Sequence, residues 1–356
     1  MAYTTIDDPS AYFKVQLYTG TGSTLAVTFN DTDTDMQPDL IWIKVRNQDS
    51  SAMIQDSVRG TDGTSYRAIK PSATSTQSTN AGFLTTIGSD GFTVGTNGKF
   101  NASSDTYVAW CWKANGSGSA NSEGNTTTTA TSANTTSGFS IITYEGDGAT
   151  ATLGHGLGAV PHFIIQKNLD DTENWQVYHH KNTSAPETDY LTLNTNNATG
   201  DQASRWNDTA PTSTLITIGS DSSVSQSGES MVMYAWSEVQ GYSKFGSYEG
   251  NNSSDGCYVH LGFRPSMVII KNIDAADSWG IFDTKREPYN TMGEKYLIAN
   301  ETTAEYDPAN VNLDFLANGF KLRHTDQKIN SSHTFVYMAW ADAPFVNSKG
   351  VPATAF

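Results

Sequence analysis

Chemistry in this chain would have to come from a few places. His179 and His180 are the only adjacent histidine pair. Neighbours on a strand point to opposite faces, so the two cannot chelate one metal ion together, and the spacing predicts two polar residues at a strand end. The run Asn30-Asp31-Thr32-Asp33-Thr34-Asp35 sets oxygen ligands at alternate positions, like half of a calcium loop. Asp31, Asp33 and Asp35 are thus the candidate cation ligands, although the run lacks the Gly and the distal Glu of an EF-hand. A solvated turn is the plainer reading, because turns favour Asp and Asn, and Asp170-Asp171 and Asp274 with Asp277 read the same way. Trp206, Asn207 and Asp208 form the candidate ligand site. A sugar ring could stack on the indole while the amide and carboxylate take its hydroxyls. The plainer reading again is an aromatic folded over the end of a sheet.

Enzymatic constellations are missing from the sequence. There is no phosphate-binding loop, no His-Glu-x-x-His and no Cys-x-x-Cys. Gly116-Ser117-Gly118-Ser119 sits in a polar, glycine-rich stretch rather than on the strand–turn–helix of a hydrolase elbow. A glycosidase needs two carboxyls facing each other across a cleft, and nothing here selects a pair. The expectation is a chain with no enzymatic activity, no catalytic residue and no cofactor. Cys111 and Cys257 fall at non-equivalent places and are expected to remain thiols.

The elements that must position these residues are strands. Charged residues make up only 16 % of the chain, and Ser, Thr, Asn and Gly fill the gap, which suits short strands and many turns. The net charge of −16 disfavours binding to nucleic acid or to an anionic membrane surface. No apolar run approaches the 18 or so residues of a membrane-spanning helix. The first residues have no charged n-region and no apolar h-region, so the expected route out of the cytoplasm is not Sec secretion.

Three landmarks recur in order. An aromatic-x-Gly stands at Tyr18, Tyr144 and Tyr248. A proline leads an apolar strand ending in Lys at Pro38–Lys44, Pro161–Lys167 and Pro265–Lys271. A closing strand ends in Ala-Trp at Trp110, Trp236 and Trp340. Both tyrosine and tryptophan steps are 126 and 104 residues. The second and third copies also share Trp175 and Trp279, where the first has Ala52. With alternating stretches such as Gly319–Leu322 and turns at 89–91 and 317–319, the reading is all-β. It comprises three tandem antiparallel β-sandwich repeats of jelly-roll or lectin-like kind. The expected boundaries are 1–114, 138–240 and 241–345, with a tail at 346–356. All but four of the 24 residues from Asn115 to Gly138 are Ser, Thr, Asn or Gly, which reads as a flexible linker over 115–137.

Leu261–Lys271, Ser278–Arg286, Phe315–Leu322 and Tyr337–Phe345 resemble a repeat found in virion proteins of marine, cyanophage-like tailed bacteriophages. The resemblance is good over copies two and three and weaker over copy one. It implies a virion structural protein, commonly tail-fibre-like, and carries over no catalytic residues. The expectations that follow are a virion location, a homotrimer, contacts with other virion proteins and attachment to host surface glycan. Head decoration and a polysaccharide-degrading spike are the alternatives.

Overall fold

Each apolar run ending in lysine is buried on both faces, as its composition demands: Leu40–Val45, Phe163–Asn168 and Phe263–Asn272 are central strands. The computed structural model describes residues 3–29, 34–288, 290, 295–306 and 311–352. Over these the protein is all-β. Its helices are three single turns of four residues and one short 3-10 turn. All six sheets are open, and their pairings are antiparallel.

The same core of four strands appears in each segment. In the first, the order is Phe13–Thr19, Thr106–Trp112, Leu40–Val45, Met53–Asp56. In the second, Phe139–Glu145, Ser230–Trp236, Phe163–Asn168 and Gln176–His179 lie within a seven-stranded sheet. In the third, the order is Ser243–Glu249, Thr334–Pro344, Phe263–Asn272, Gly280–Asp283. A smaller sheet accompanies each. Apolar residues of both sheets form one cluster in the first segment, around Ile41, Phe92 and Tyr107, and another in the second, around Ile142, Leu153 and Met233.

The tyrosine–glycine landmark has a physical cause. Tyr18, Tyr144 and Tyr248 donate their hydroxyls to the carbonyls of Phe100, Val224 and Ile329, at 2.8, 2.7 and 2.6 Å. The glycine two residues on lets the backbone close on the same turn. A Cβ on Gly146 would stand 2.3 Å from the Gln226 carbonyl oxygen, and one on Gly250 would stand 1.9 Å from that of Ser331. The lysines ending the central strands are buried. Their ammonium groups donate to backbone carbonyls, Lys44 to Thr302 and Lys271 to Asn272 at 2.8 and 2.6 Å, and Lys167 to Asp171 at 3.2 Å. Burial pulls all three down to about 8.

Strand register corrects the third landmark. Leu40 pairs with Trp112, Phe163 with Trp236 and Met267 with Trp340. The first-segment counterpart of Trp236 and Trp340 is therefore Trp112, not Trp110. Trp110 corresponds instead to Tyr234 and Met338. A shift of two keeps a side chain on the same sheet face, so the sequence pattern could not reveal it.

The flexible linker is also corrected. Ala130–Asn134 is a strand paired with Phe139–Glu145 at the edge of the large sheet. Ser119 bridges Thr131, Asn115 donates to Ser132 Oγ at 2.8 Å, and the Thr126 amide donates to the Thr152 carbonyl at 3.2 Å. Threonine fits an edge strand as readily as it fits a linker, and composition alone does not separate the two. The tail is partly tied down as well: Val346 bridges Pro352, and the Ser348 amide donates to Asp7 at 2.6 Å.

Candidate functional site

The three segments close into a ring about a tryptophan cluster. Trp112, Trp236 and Trp340 are buried and meet pairwise edge to face, with centroids 6.0, 5.9 and 5.2 Å apart. Phe13, Phe139, Phe163 and Phe245 pack around them. One apolar core runs through all three segments.

Corresponding residues build the three junctions. The amide of Gln77 donates to the Leu169 carbonyl at 3.0 Å, that of Thr199 to Ile273 at 3.0 Å, and that of Glu305 to Arg46 at 2.6 Å. Each bond leads from one segment to the next and the last returns to the first. Trp175 donates its indole N–H to the Lys70 carbonyl at 2.9 Å, and Trp279 does so to Thr192 at 3.0 Å. The closing junction has Ala52 at that position. There Arg46 grips Glu305 in two parallel bonds of 2.9 and 2.8 Å. Burial alone would raise the Glu305 carboxyl, but Arg46 and Arg286 more than reverse it and hold it below its ordinary range.

A buried polar position recurs at the end of the fourth core strand, occupied by Asp56, His179 and Asp283. Each takes a partner across a junction. Tyr234 donates its hydroxyl to Asp56 at 2.7 Å, and Trp110 donates its indole N–H to Asp283 at 3.0 Å. His179 donates from Nε2 to the Tyr337 carbonyl at 3.2 Å. Three residues on, Arg59 and Arg286 pair with Asp56 and Asp283 and reach the carbonyls of Ile54 and Ile281 at 3.1 and 2.8 Å. Sequence reading missed this set, though Asp56-x-x-Arg59 and Asp283-x-x-Arg286 share one spacing and were its available signal.

The residues singled out by sequence are placed as follows. Trp206 ends the short helix Ala203–Trp206 and is only 2 % exposed, edge-on to Tyr178 at 6.0 Å. The indole is core and offers no face to a sugar, so the stacking platform is corrected; its truncation would leave a cavity rather than strip a surface. Asn207 and Asp208 are exposed and both left-handed, with φ of 52° and 45°. Asn207 accepts from Thr150 Oγ1 at 3.3 Å. Asp31 and Asp33 lie outside the described residues, and Asp35 is exposed. Asp170 and Asp274 accept from the amides of Ser230 and Thr334 at 2.8 and 2.7 Å, and so organise corresponding turns. Among the described residues no group of three or more His, Cys, Asp or Glu is set to hold a metal ion. His180 turns to the Phe245 carbonyl, 2.5 Å away, and leaves His179 to Tyr337. Cys111 is buried and Cys257 half-buried, and both are free thiols.

The arrangement defines an all-β protein whose described polar clusters organise turns and junctions. The chain belongs to the family described as Domain of unknown function (DUF7483), which matches residues 8–344 and so spans the whole ring. No curated protein matches the chain.

Proposed function

We propose that the protein is a structural component of a tailed-bacteriophage virion, built of three tandem β-sandwich repeats. In this reading it belongs to the tail fibre or tail tip and contributes to attachment to host surface glycan. The observation that carries the reading is the position of the phage-like motif residues. Met267–Lys271, Trp279 and Tyr337–Trp340 are all buried in the core and junctions of the ring. The resemblance thus rests on residues that hold the whole assembly together. Asn196, Asn197, Asn251, Asn252 and Asp255 are exposed, and hydroxyl- and amide-rich loops suit glycan-type partners.

Self-association as a homotrimer, and contacts with other virion proteins, belong to the same reading. Their contacts would be largely polar. The apolar faces are already used inside the chain, and the large apolar side chains exposed among the described residues are scattered ones: Val160, Tyr258, Tyr306 and Val351. Head decoration is the second reading, favoured by the three-fold arrangement within one chain, which suits a three-fold position of a shell. Immunogold labelling of the particles separates them. Gold at the tail tip is expected; gold on the head overturns the tail assignment, and unlabelled particles overturn a virion role.

A further inference from the structure

The three junctions carry one corresponding pair of side chains, and in one of them the two side chains do not bond each other. In the third segment Arg286 Nη1 donates to Glu305 at 3.2 Å. In the second, Thr199 Oγ1 donates to Asn182 Oδ1 at 2.7 Å. In the first the pair is Arg59 and Gln77. There Arg59 Nη1 and Gln77 Oε1 are both buried and find no partner among the described residues. The Arg59 side chain is only 2 % exposed, so an unpaired N–H there carries a full desolvation cost.

Arg59 and Gln77 line a cleft of about 370 Å³ between the first and second segments, with Arg67, Tyr144, Glu145 and Ser230. Arg67 is fixed at its rim by donating to the carbonyls of Arg59 and Thr61, at 2.7 and 2.9 Å. The balance of charge differs at the same place. At the closing junction Arg46 and Arg286 meet two carboxylates, Glu305 and Asp283. In the cleft Arg59 and Arg67 stand with one inner carboxylate, Asp56. Glu145 also faces the cleft, but it is exposed.

We infer that this cleft binds an acidic sugar. The carboxylate of a uronate residue supplies to Arg59 Nη1 and Arg67 the acceptor that Glu305 supplies at the closing junction. The sugar hydroxyls donate to Glu145 and exchange hydrogen bonds with Ser230. Gln77 turns its amide toward the same carboxylate. A charged N–H bonded to a carboxylate is stronger than a neutral hydrogen bond, and the cleft volume falls within the range of small-ligand sites. The choice of a sugar over another carboxylic acid rests on the attachment reading above.

The test is titration of the full chain with tetragalacturonate, maltotetraose and citrate by calorimetry. Saturable binding of tetragalacturonate alone is expected. Gln77→Glu supplies the missing carboxylate from within, as Glu305 does, and Arg67→Ala removes the rim cation. Each is expected to weaken binding at least about tenfold, the size of a lost charged hydrogen bond, with the thermal melt retained. The inference is overturned if wild-type protein does not bind tetragalacturonate, if citrate or maltotetraose binds as tightly, or if Gln77→Glu binds like wild type. Should tetragalacturonate fail while the chain still competes with phage for host cells, the cleft is wrong and attachment uses another surface. Should it bind while competition fails, the cleft stands and the attachment reading falls.

Discussion

Trp340→Ala is expected to lower the unfolding free energy by about 3–5 kcal/mol, the cost of emptying a fully buried aromatic site. Trp112→Ala and Trp236→Ala should cost about as much, because the three indoles share one contact cluster. The form of the transition is as informative as its size. With one apolar core running through all segments, urea unfolding followed by near-ultraviolet and far-ultraviolet dichroism should give a single coincident transition. Each variant should shift that transition whole. Pairwise combinations should be non-additive, since the rings touch. Three separable transitions, with each variant moving only one, would show that the segments stand independently.

Acid should destabilise the protein before its carboxylates titrate. His179 is buried and uses both ring nitrogens: Nε2 donates to the Tyr337 carbonyl, and Nδ1 accepts from the Lys181 amide at 3.1 Å. A proton on Nδ1 would break that second bond. Burial, aided by His180, holds the imidazole down at about 3, against an ordinary value of 6.5. His155, His162 and His180 are lowered too, each chiefly by burial. The sign follows. Between pH 6.5 and 3 the unfolded chain binds more protons than the folded one, so stability present above pH 6.5 is lost as the pH falls. His179 alone should remove roughly 1–3 kcal/mol by about pH 4.5, at up to about 1.4 kcal/mol per pH unit. A His179→Gln variant should show a shallower loss over the same range in urea titrations. An unchanged slope in that variant would remove His179 from the account.

Much of the architecture was legible because it rests on local pattern. The apolar runs ending at Lys44, Lys167 and Lys271 could only be strands buried on both faces, and they are. The tyrosine–glycine landmark was visible as a repeat, though its cause, a hydroxyl bonded to a carbonyl some eighty residues away, was not. Two features escaped because they depend on partners far along the chain. Trp110 stood in for Trp112, since a shift of two leaves the facing unchanged. Asn115–Gly138 looked like a tether because edge strands and linkers draw on the same residues. The sugar-platform reading of Trp206 followed its polar neighbours, while the helix turn at 203–206 folds the indole inward, as the plainer reading of an aromatic folded over a sheet end has it. The unbonded pair at Arg59 and Gln77 lay beyond sequence reading altogether. It becomes visible only when the strand registers align it with Arg286 and Glu305.

The attachment role is tested most directly by adding purified chain to host cells before infection and counting unadsorbed phage. Saturable binding of the chain to the cells, with a matching fall in phage adsorption, is the predicted result. Cells that bind none of the chain and adsorb phage at the full rate would contradict it.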